Sequence, residues 1–434
     1  MEIFSLKVST GREQKSVLQS LRNSKNSFLW GVATSAFQLE GSPYADWATW
    51  DSVLNLNPKV TNHQELYEED IKLIKNLGVN AYRFSIEWSR IQPLEDTWNK
   101  SVMEHYQKII DILNDYQITP MVTLHHFTHP VWFITKYPWH KRASVEKFIN
   151  YVDRLTDFIK GVDYFITFNE PYLLILGGYI EGCIPPGYKD LEKGVKALKN
   201  ILICHSRIYD LIHAKNKNAK ISIAHNMAVF TPWIKWNPLD RILTKIAKRF
   251  YNHSIIEGFL NGKISIKFPN KKIYEVEVPI KGKLDFFGIN YYTRVHMRFN
   301  PFKKVFVEFR HKDIDGFGLT DMGWEVYPKG LKKVLSYASA VGVPLIITEN
   351  GIATKDDNKK MKFIKDHVDA VEEAIRDGID VRGYFYWSLI DNYEWLHGLD
   401  ARFGLYKVDF KNYRRIPTQA ASFYSYIIKS RTFV

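Results

Sequence analysis

The sequence predicts an α/β protein built as a single (β/α)8 (TIM) barrel with elaborated βα loops. Three observations carry this. Short apolar, β-branched or aromatic runs alternate with longer segments of helical periodicity, and the alternation repeats eight times. The strand-like runs are apolar on both faces, as in a parallel sheet covered by helices. No Pro/Gly/Ser-rich linker divides the 434 residues. Residues 28–434 therefore read as one barrel domain, behind a polar, basic extension at 1–27 that forms a loose tail or a short surface helix.

In chain order, Phe28-Leu29-Trp30-Gly31 opens the first strand. Leu66, Ile71, Ile74 and Leu77 recur near helical spacing over 65–77, and Gly78 ends that helix. Strands follow at 79–86, 120–124, 164–169, 221–225, 285–292, 344–348 and 384–389. Helices fall between them at 102–113, 145–159, 197–214, 241–259, 331–340 and 363–376, and a last one runs through 424–428. Each strand is thus followed by a helix. The length beyond a minimal barrel lies in the connections after strands, which form the active-site face of this fold.

Composition narrows the function classes. The chain is 45% hydrophobic and 15% aromatic, enough for a large core. Its two cysteines, Cys183 and Cys204, make no disulfide framework, so a cytoplasmic setting is expected. No run of about 18 apolar residues predicts a spanning helix, and 1–27 lacks the apolar centre of a signal peptide. The net charge is +13, and residues 235–312 hold 17 Lys or Arg against 6 Asp or Glu. That region reads either as a solvated basic face or as a contact for an anionic membrane, from its inner side. No nucleic-acid motif accompanies the charge, so no nucleic-acid partner is expected. Within it, 238–250 is an amphipathic basic stretch that suits a membrane surface or the barrel's fifth helix.

The residues at strand ends point to chemistry. Strand one leads to Gln38, and strand two carries Arg83 with Glu87 and Trp88 beyond. Strand three gives His125 and His126, strand four Asn169 and Glu170, and strand five Asn226. Strand six gives Asn290 and Tyr292. Strand seven, Pro344-Leu345-Ile346-Ile347-Thr348, delivers Glu349 just before Asn350-Gly351. Strand eight carries Trp387, followed by Asp391, Glu394 and Trp395. Taken alone, Glu349 could equally cap the next helix. Eight strands presenting polar or aromatic groups at one rim imply a polar cleft.

Two carboxylates from different strands, among hydrogen-bonding groups and indole faces, suit hydrolysis of a glycosidic bond. One carboxylic acid protonates the leaving oxygen, and the other carboxylate attacks the anomeric carbon or activates water. A metal site is not expected: neighbouring His125 and His126 on a strand point to opposite faces, leaving no cluster with His129. No Gly-rich phosphate loop follows a strand, so no nucleotide cofactor is expected either.

Thr167-Phe168-Asn169-Glu170-Pro171 and Ile347-Thr348-Glu349-Asn350-Gly351 resemble the two catalytic signatures of glycoside hydrolase family 1. Phe28-Leu29-Trp30-Gly31-Val32-Ala33-Thr34-Ser35, Gln38-Leu39-Glu40-Gly41 and Tyr82 to Arg90 agree in order. So do Gly288 to Tyr292, Met322 to Pro328 and Tyr386 to Trp395. The likeness runs from Phe28 to the C-terminus. The segments around Glu87 and His125-His126-Phe127-Thr128 are similar to compact archaeal-type β-glucosidases.

The resemblance implies a retaining β-glycosidase without a cofactor, acting on small-molecule β-glucosides, galactosides or fucosides with small or apolar aglycones. A membrane-surface transglycosylase or glycolipid-binding protein using the same cleft is the alternative. It further implies Glu349 as nucleophile, kept ionised by Arg83 and Tyr292, and Glu170 as acid/base. Asn169 would meet the sugar 2-hydroxyl. Gln38, His126, Asn290, Glu394 and Trp395 would bind the other hydroxyls, and Trp387 would supply the stacking face. Asn226 and Trp324 would line the outer, aglycone side. Two departures bear on this. Phe127-Thr128 stands where many members carry Trp-Asp, removing one indole donor. Glu394-Trp395 argues against a phospho-sugar substrate, since an anionic Glu394 would repel the phosphate. Finally, Met297 to Lys312 interleaves Phe299, Phe302, Phe306 and Phe309 with basic residues, as a segment contacting anionic lipid or guiding an apolar aglycone would.

Overall fold

A computed structural model describes residues 28–50, 60–267, 273–302, 307–431 and 433. The extension at 1–27 and Phe306 lie outside them. Eight parallel strands close a barrel: β1 Leu29–Ala33, β2 Ala81–Ser85, β3 Thr119–Thr123, β4 Tyr164–Asn169, β5 Lys220–Pro232, β6 Phe287–Phe299, β7 Leu345–Asn350 and β8 Val381–Trp387. Each pairs with the next, and β8 returns to β1 with Ala33 opposite Trp387.

Alternation along each strand sorts its side chains. Leu29, Ala81, Met121, Ile166, Ala224, Ile346 and Phe385 form one cluster that fills the inside of the barrel. The intervening residues, such as Val32, Val122, Phe165 and Ile347, join the larger core beneath the outer helices. Those helices are α1 His63–Leu77, α2 Lys100–Asp115, α3 Ala143–Phe158, α4 Leu191–Lys215, α5 Pro238–Lys248, α6 Pro328–Ala338, α7 Asp357–Arg376 and α8 Gln419–Ser430. Several start where a short polar side chain accepts from the first free backbone N–H groups: Asn99 from Val102, Asp190 from Lys193, Asp356 from Asn358, Thr418 from Ala421.

Two strands are longer than their apolar runs suggest. β5 and β6 continue beyond the barrel as a projecting ribbon, where Val229 pairs with Arg294 and Pro232 with Met297. β6 then turns back antiparallel against Val307–Arg310. The stretch Thr293-Arg294-Val295-His296-Met297-Arg298-Phe299 alternates because this ribbon has two unlike faces. The helix expected over 241–259 is broken by a π-helical turn at Arg249–His253 and resumes at Ser254–Asn261. α5 packs on the ribbon, where Asp240 accepts from the N–H groups of Ile234 and Phe299, while Ile255, Ile256 and Phe259 of Ser254–Asn261 join the core beneath the outer helices. No helix among the described residues is long and apolar enough to cross a membrane.

Candidate active site

The site is organised from beneath by one arginine. Arg83 stands on β2 and is buried. Its Nε donates to Thr123 Oγ1 of β3 (3.1 Å), and one terminal nitrogen donates to Glu349 Oε1 (2.6 Å) and the Thr348 carbonyl (3.1 Å) of β7. The other donates to Asn169 Oδ1 of β4 (2.7 Å). A planar fork of five donors serves three other strands in this way: β3 beside it, β4 next to β3, and β7 across the barrel.

That contact sets a chain of orientations. Asn169 must turn Oδ1 to the cation, so its Nδ2 faces His126 Nε2 at 3.2 Å. Accepting there leaves the His126 proton on Nδ1, which is buried and has no protein partner among the described residues. Burial and the nearby Arg83 charge hold this imidazole neutral, well below the ordinary histidine range. Asn290 of β6 is fixed likewise: Thr348 Oγ1 donates to its Oδ1 (2.7 Å), while its Nδ2 donates to Asn169 Oδ1 (3.1 Å) and Glu170 Oε1 (2.7 Å).

The two central carboxyls sit in unlike surroundings. Glu349 receives Arg83 on one oxygen and the Tyr292 hydroxyl on the other at 2.6 Å, with Asn290 also in hydrogen-bonding reach. Burial raises its pKa above the usual carboxylate value, and Arg83 and Tyr292 oppose that rise. Among the described residues no cation contacts Glu170. It accepts only from the amides of Asn290 and Asn226 (3.1 Å). Burial first, and then the Glu349 charge, push it up to about 7. A third carboxyl, Glu394, accepts from Gln38 Nε2 at 3.2 Å and from the Trp387 indole, and burial together with Glu349 pushes it up to about 8.

Gly351 follows strand β7 because a Cβ there would collide with the Trp387 carbonyl oxygen. Glu170 lies past the end of β4 with φ at +47°, its N–H held by the Ala224 carbonyl at 2.7 Å. Phe127 and Trp395 also adopt left-handed backbone, and all three line the same cleft. Non-glycine residues take such angles at a cost, and they gather where side chains must be aimed.

These groups surround a cleft of about 260 Å³ lined by Gln38, His126, Asn169, Glu170, Asn226, Tyr292, Trp324, Glu349, Trp387, Glu394 and Trp395. Trp387 stacks on His126 with ring centres 5.9 Å apart, and Trp395 lies flat on Phe37 at 6.1 Å. Asn290 differs from its expected place. It is fully buried beneath the cleft with both ends bonded to protein, so it connects the acids and meets no sugar. Asn226 lines both the cleft and the cavity beside it, and donates to Glu170. Glu87 and Asp391 turn away, Glu87 to Ser89 and Thr128 (2.7 Å) and Asp391 to the Gly404 N–H (2.9 Å). Thr128 is thereby used inside the protein, while Phe127 meets the edge of Trp395. The rings of His125 and His129 leave the cleft: His129 bonds Asp46 and Trp139, and His125 packs among Trp139, Phe148 and Phe168.

Met322 joins the lining from the Met322–Pro328 segment, and Trp47, Leu173, Gly177, Cys183, Ile184, Leu396, His397 and Phe403 join it without a signal in the sequence, since the connections after strands bring them in. The lining holds three carboxyls and, among the described residues, no Lys or Arg. With Glu394 raised to about 8, its charge is not what would repel a phosphate at neutral pH. The lack of a cation to pair with one is the better physical reason.

Comparison with known proteins agrees with this geometry. The model of the family described as Glycosyl hydrolase family 1 matches residues 22–433. The chain is 33% identical to β-glucosidase A of Thermotoga maritima, over 93% of this chain and 97% of that protein. It is 29% identical to a 6-phospho-β-galactosidase of Staphylococcus haemolyticus, covering 93% and 98%. Among solved structures, a β-glycosidase from Pyrococcus horikoshii superposes with a TM-score of 0.86 at 39% identity, covering 94% of this chain and 95% of that one. With a barrel, a paired-carboxyl cleft and matches along nearly its whole length, the chain belongs to glycosyl hydrolase family 1.

Proposed function

We propose that this enzyme, a retaining β-glycosidase, uses Glu349 as nucleophile and Glu170 as acid/base. The observation that carries the roles is the asymmetry of the two carboxyls: a guanidinium and a phenol on Glu349, neutral amides on Glu170. The charge therefore resides on Glu349 and the proton on Glu170. The Glu349 carboxylate attacks the anomeric carbon as Glu170 gives its proton to the departing glycosidic oxygen. A glycosyl ester and a free alcohol result. Once esterified, Glu349 no longer raises the pKa of Glu170, which then takes a proton from the attacking water. Both carboxyls have Asn290 as a common neighbour, which favours the short spacing of retaining pairs, about 5–5.5 Å, over the wider inverting one.

The glycone reading follows from the polar side chains of the lining. His126, Gln38, Glu394 and Asn169 line the cleft where a sugar would lie, and Trp387 offers its ring. The names of the relatives support β-glucoside as substrate, and a lining without Lys or Arg among the described residues disfavours a 6-phosphosugar. Nothing in those names supports the transglycosylase or glycolipid-binding alternative. Proton NMR of an aryl β-glucoside digest tests the mechanism. The β-anomer should appear first, and an α-anomer appearing first would overturn it.

A peripheral contact with anionic lipid is also proposed. Trp236 is 77% and Phe302 95% exposed, at the corner where the ribbon ends beside Arg298, Arg310 and Lys312. Exposed aromatics rimmed by cations suit such a surface. Cosedimentation with anionic vesicles at low salt should retain the protein, and no binding there removes this contact.

A further inference from the structure

The two oxygens of Glu170 are met unevenly. Asn290 Nδ2 at 2.7 Å and Asn226 Nδ2 at 3.1 Å both donate to Oε1. The carbonyl oxygen of a neutral carboxyl is its better acceptor, so two amides on Oε1 leave the acid's proton on Oε2. This holds only while each amide keeps its donating end toward Glu170. Asn290 is turned that way by the Thr348 hydroxyl on its Oδ1. Asn226 is turned by a residue from outside the catalytic cleft.

Asn226 stands between the cleft and a second cavity of about 310 Å³, and the two spaces share Leu173, Asn226, Tyr292 and Trp324 as a common wall. The far walls come from α5, from the ribbon and its hairpin, and from the π-helical turn Leu176–Glu181 after β4. From that side the Tyr251 hydroxyl donates to Asn226 Oδ1 at 3.2 Å. Tyr251 reaches this place because the chain after α5 makes a single π-helical turn, Arg249–His253, which changes the direction its side chains take. β5 grips the turn on both sides of Asn226. His225 Nε2 donates to the Tyr251 carbonyl (2.7 Å), and Asn252 donates to the Ala228 carbonyl (2.8 Å) and accepts from its N–H (3.4 Å). Tyr251 is buried, its ring packed against Phe230 and His225. Burial, and then the Glu170 charge, hold its phenol well above the ordinary tyrosine value, so it stays a neutral donor.

We propose that Tyr251 is a positioning residue for the acid/base: by holding the Asn226 amide with its N–H groups toward Glu170 Oε1, it keeps the transferable proton on Oε2. The proposal rests on the assignment of Glu170. In the first half-reaction the Oε2–H bond breaks and the proton goes to the glycosidic oxygen, whose bond to the anomeric carbon breaks as Glu349 forms the ester. In the second, water adds to that carbon, its proton passes to Oε2 and Glu349 departs as carboxylate. If Asn226 turned over, its Oδ1 would face Glu170 and accept a hydrogen from Oε1, drawing the proton away from the substrate.

The test uses the full chain carrying Tyr251→Phe, which keeps the ring and removes one hydroxyl. On methyl β-D-glucoside, whose alcohol leaves only with a proton, kcat/KM should fall about fivefold or more, as for one lost neutral hydrogen bond. On a dinitrophenyl β-D-glucoside, whose leaving group needs no proton, it should change by less than about twofold. The alkaline limb on methyl glucoside should move up by roughly half a pH unit, because an amide that favours the charged carboxyl is no longer held on it. Asn226→Ala should give the same pattern, and the double variant should match Asn226→Ala alone, since Tyr251 acts through that amide. Equal losses on both substrates, an unmoved alkaline limb, or a double variant in which the two losses multiply would overturn the proposal. Glu170→Gln, measured beside it, separates the two claims. A Glu170→Gln loss selective for methyl glucoside, with none selective in Tyr251→Phe, removes only the role of Tyr251, whereas equal losses in Glu170→Gln remove Glu170 as the acid.

Discussion

The two cavities share a wall and differ in what their polar atoms do. In the sugar cleft a relay begins at Arg83, passes through Asn169 and ends at the His126 ring, which lines the cleft. Each link fixes the next, so hydrogen-bonding atoms point where a sugar hydroxyl would lie. In the neighbouring cavity the polar atoms close on one another, and what faces inward is hydrocarbon. One kind of selectivity depends on direction and punishes a mismatched hydroxyl with an unpaired polar group. The other depends on area and tolerates differences of size. A single set of loops on one barrel face supplies both, because β5 and β6 outrun the barrel and carry an apolar wall out beside the polar floor.

Mutations that strike the polar side should have the largest effects. Glu349→Ala should lower kcat at least about 10⁴-fold, since Glu349 is the one carboxylate bonded to Arg83 among the described residues. Glu170→Gln should cost about 10²–10⁴-fold on alkyl glucosides, whose alcohols leave poorly, and far less on dinitrophenyl glucosides, which need no proton. If both substrate types fall equally, Glu170 is not the acid. Tyr292→Phe removes one hydrogen bond to a charged oxygen and should cost roughly 10–100-fold in kcat.

The pH profile separates the two carboxyls. Activity should fall as pH rises through about 7, because Glu170 loses the proton it must donate. It should fall on the acid side as Glu349 gains one, and Tyr292→Phe should move that limb to higher pH by removing a bond that lowers the Glu349 pKa. The smallest effect is on stability. The folded-state pKa of Glu394, raised to about 8 from 4.5, favours the fold below the lower value, and this support is lost as pH rises through the upper one. Glu394→Gln should therefore match the wild-type Tm near pH 5 and exceed it by a few degrees near pH 9 in thermal melts.

Strand positions and the pair Glu170 and Glu349 were legible because buried parallel strands are continuous apolar runs, and an acid ending such a run is conspicuous. Gln38, His126, Trp387 and Glu394 came from motif order and do meet in the cleft. The role of Asn290 was misread: its position at a strand end does not reveal that both faces of its amide are taken by neighbours. The apolar cavity was only hinted at by the phenylalanines from 299 to 309. Its walls come from four separate segments whose meeting depends on the ribbon, and a periodicity of two over 293–299 gives no direction in space. The left-handed backbone at Phe127, Glu170 and Trp395 carries no signal in side-chain type at all.

The assignment of Glu349 can be tested by trapping. Incubation with a 2-deoxy-2-fluoro-β-D-glucoside bearing a good leaving group, followed by peptide mapping, should find the glycosyl ester on the peptide containing Ile347-Thr348-Glu349-Asn350-Gly351, at Glu349. A stoichiometric adduct on Glu170, Glu394 or any other residue would contradict it.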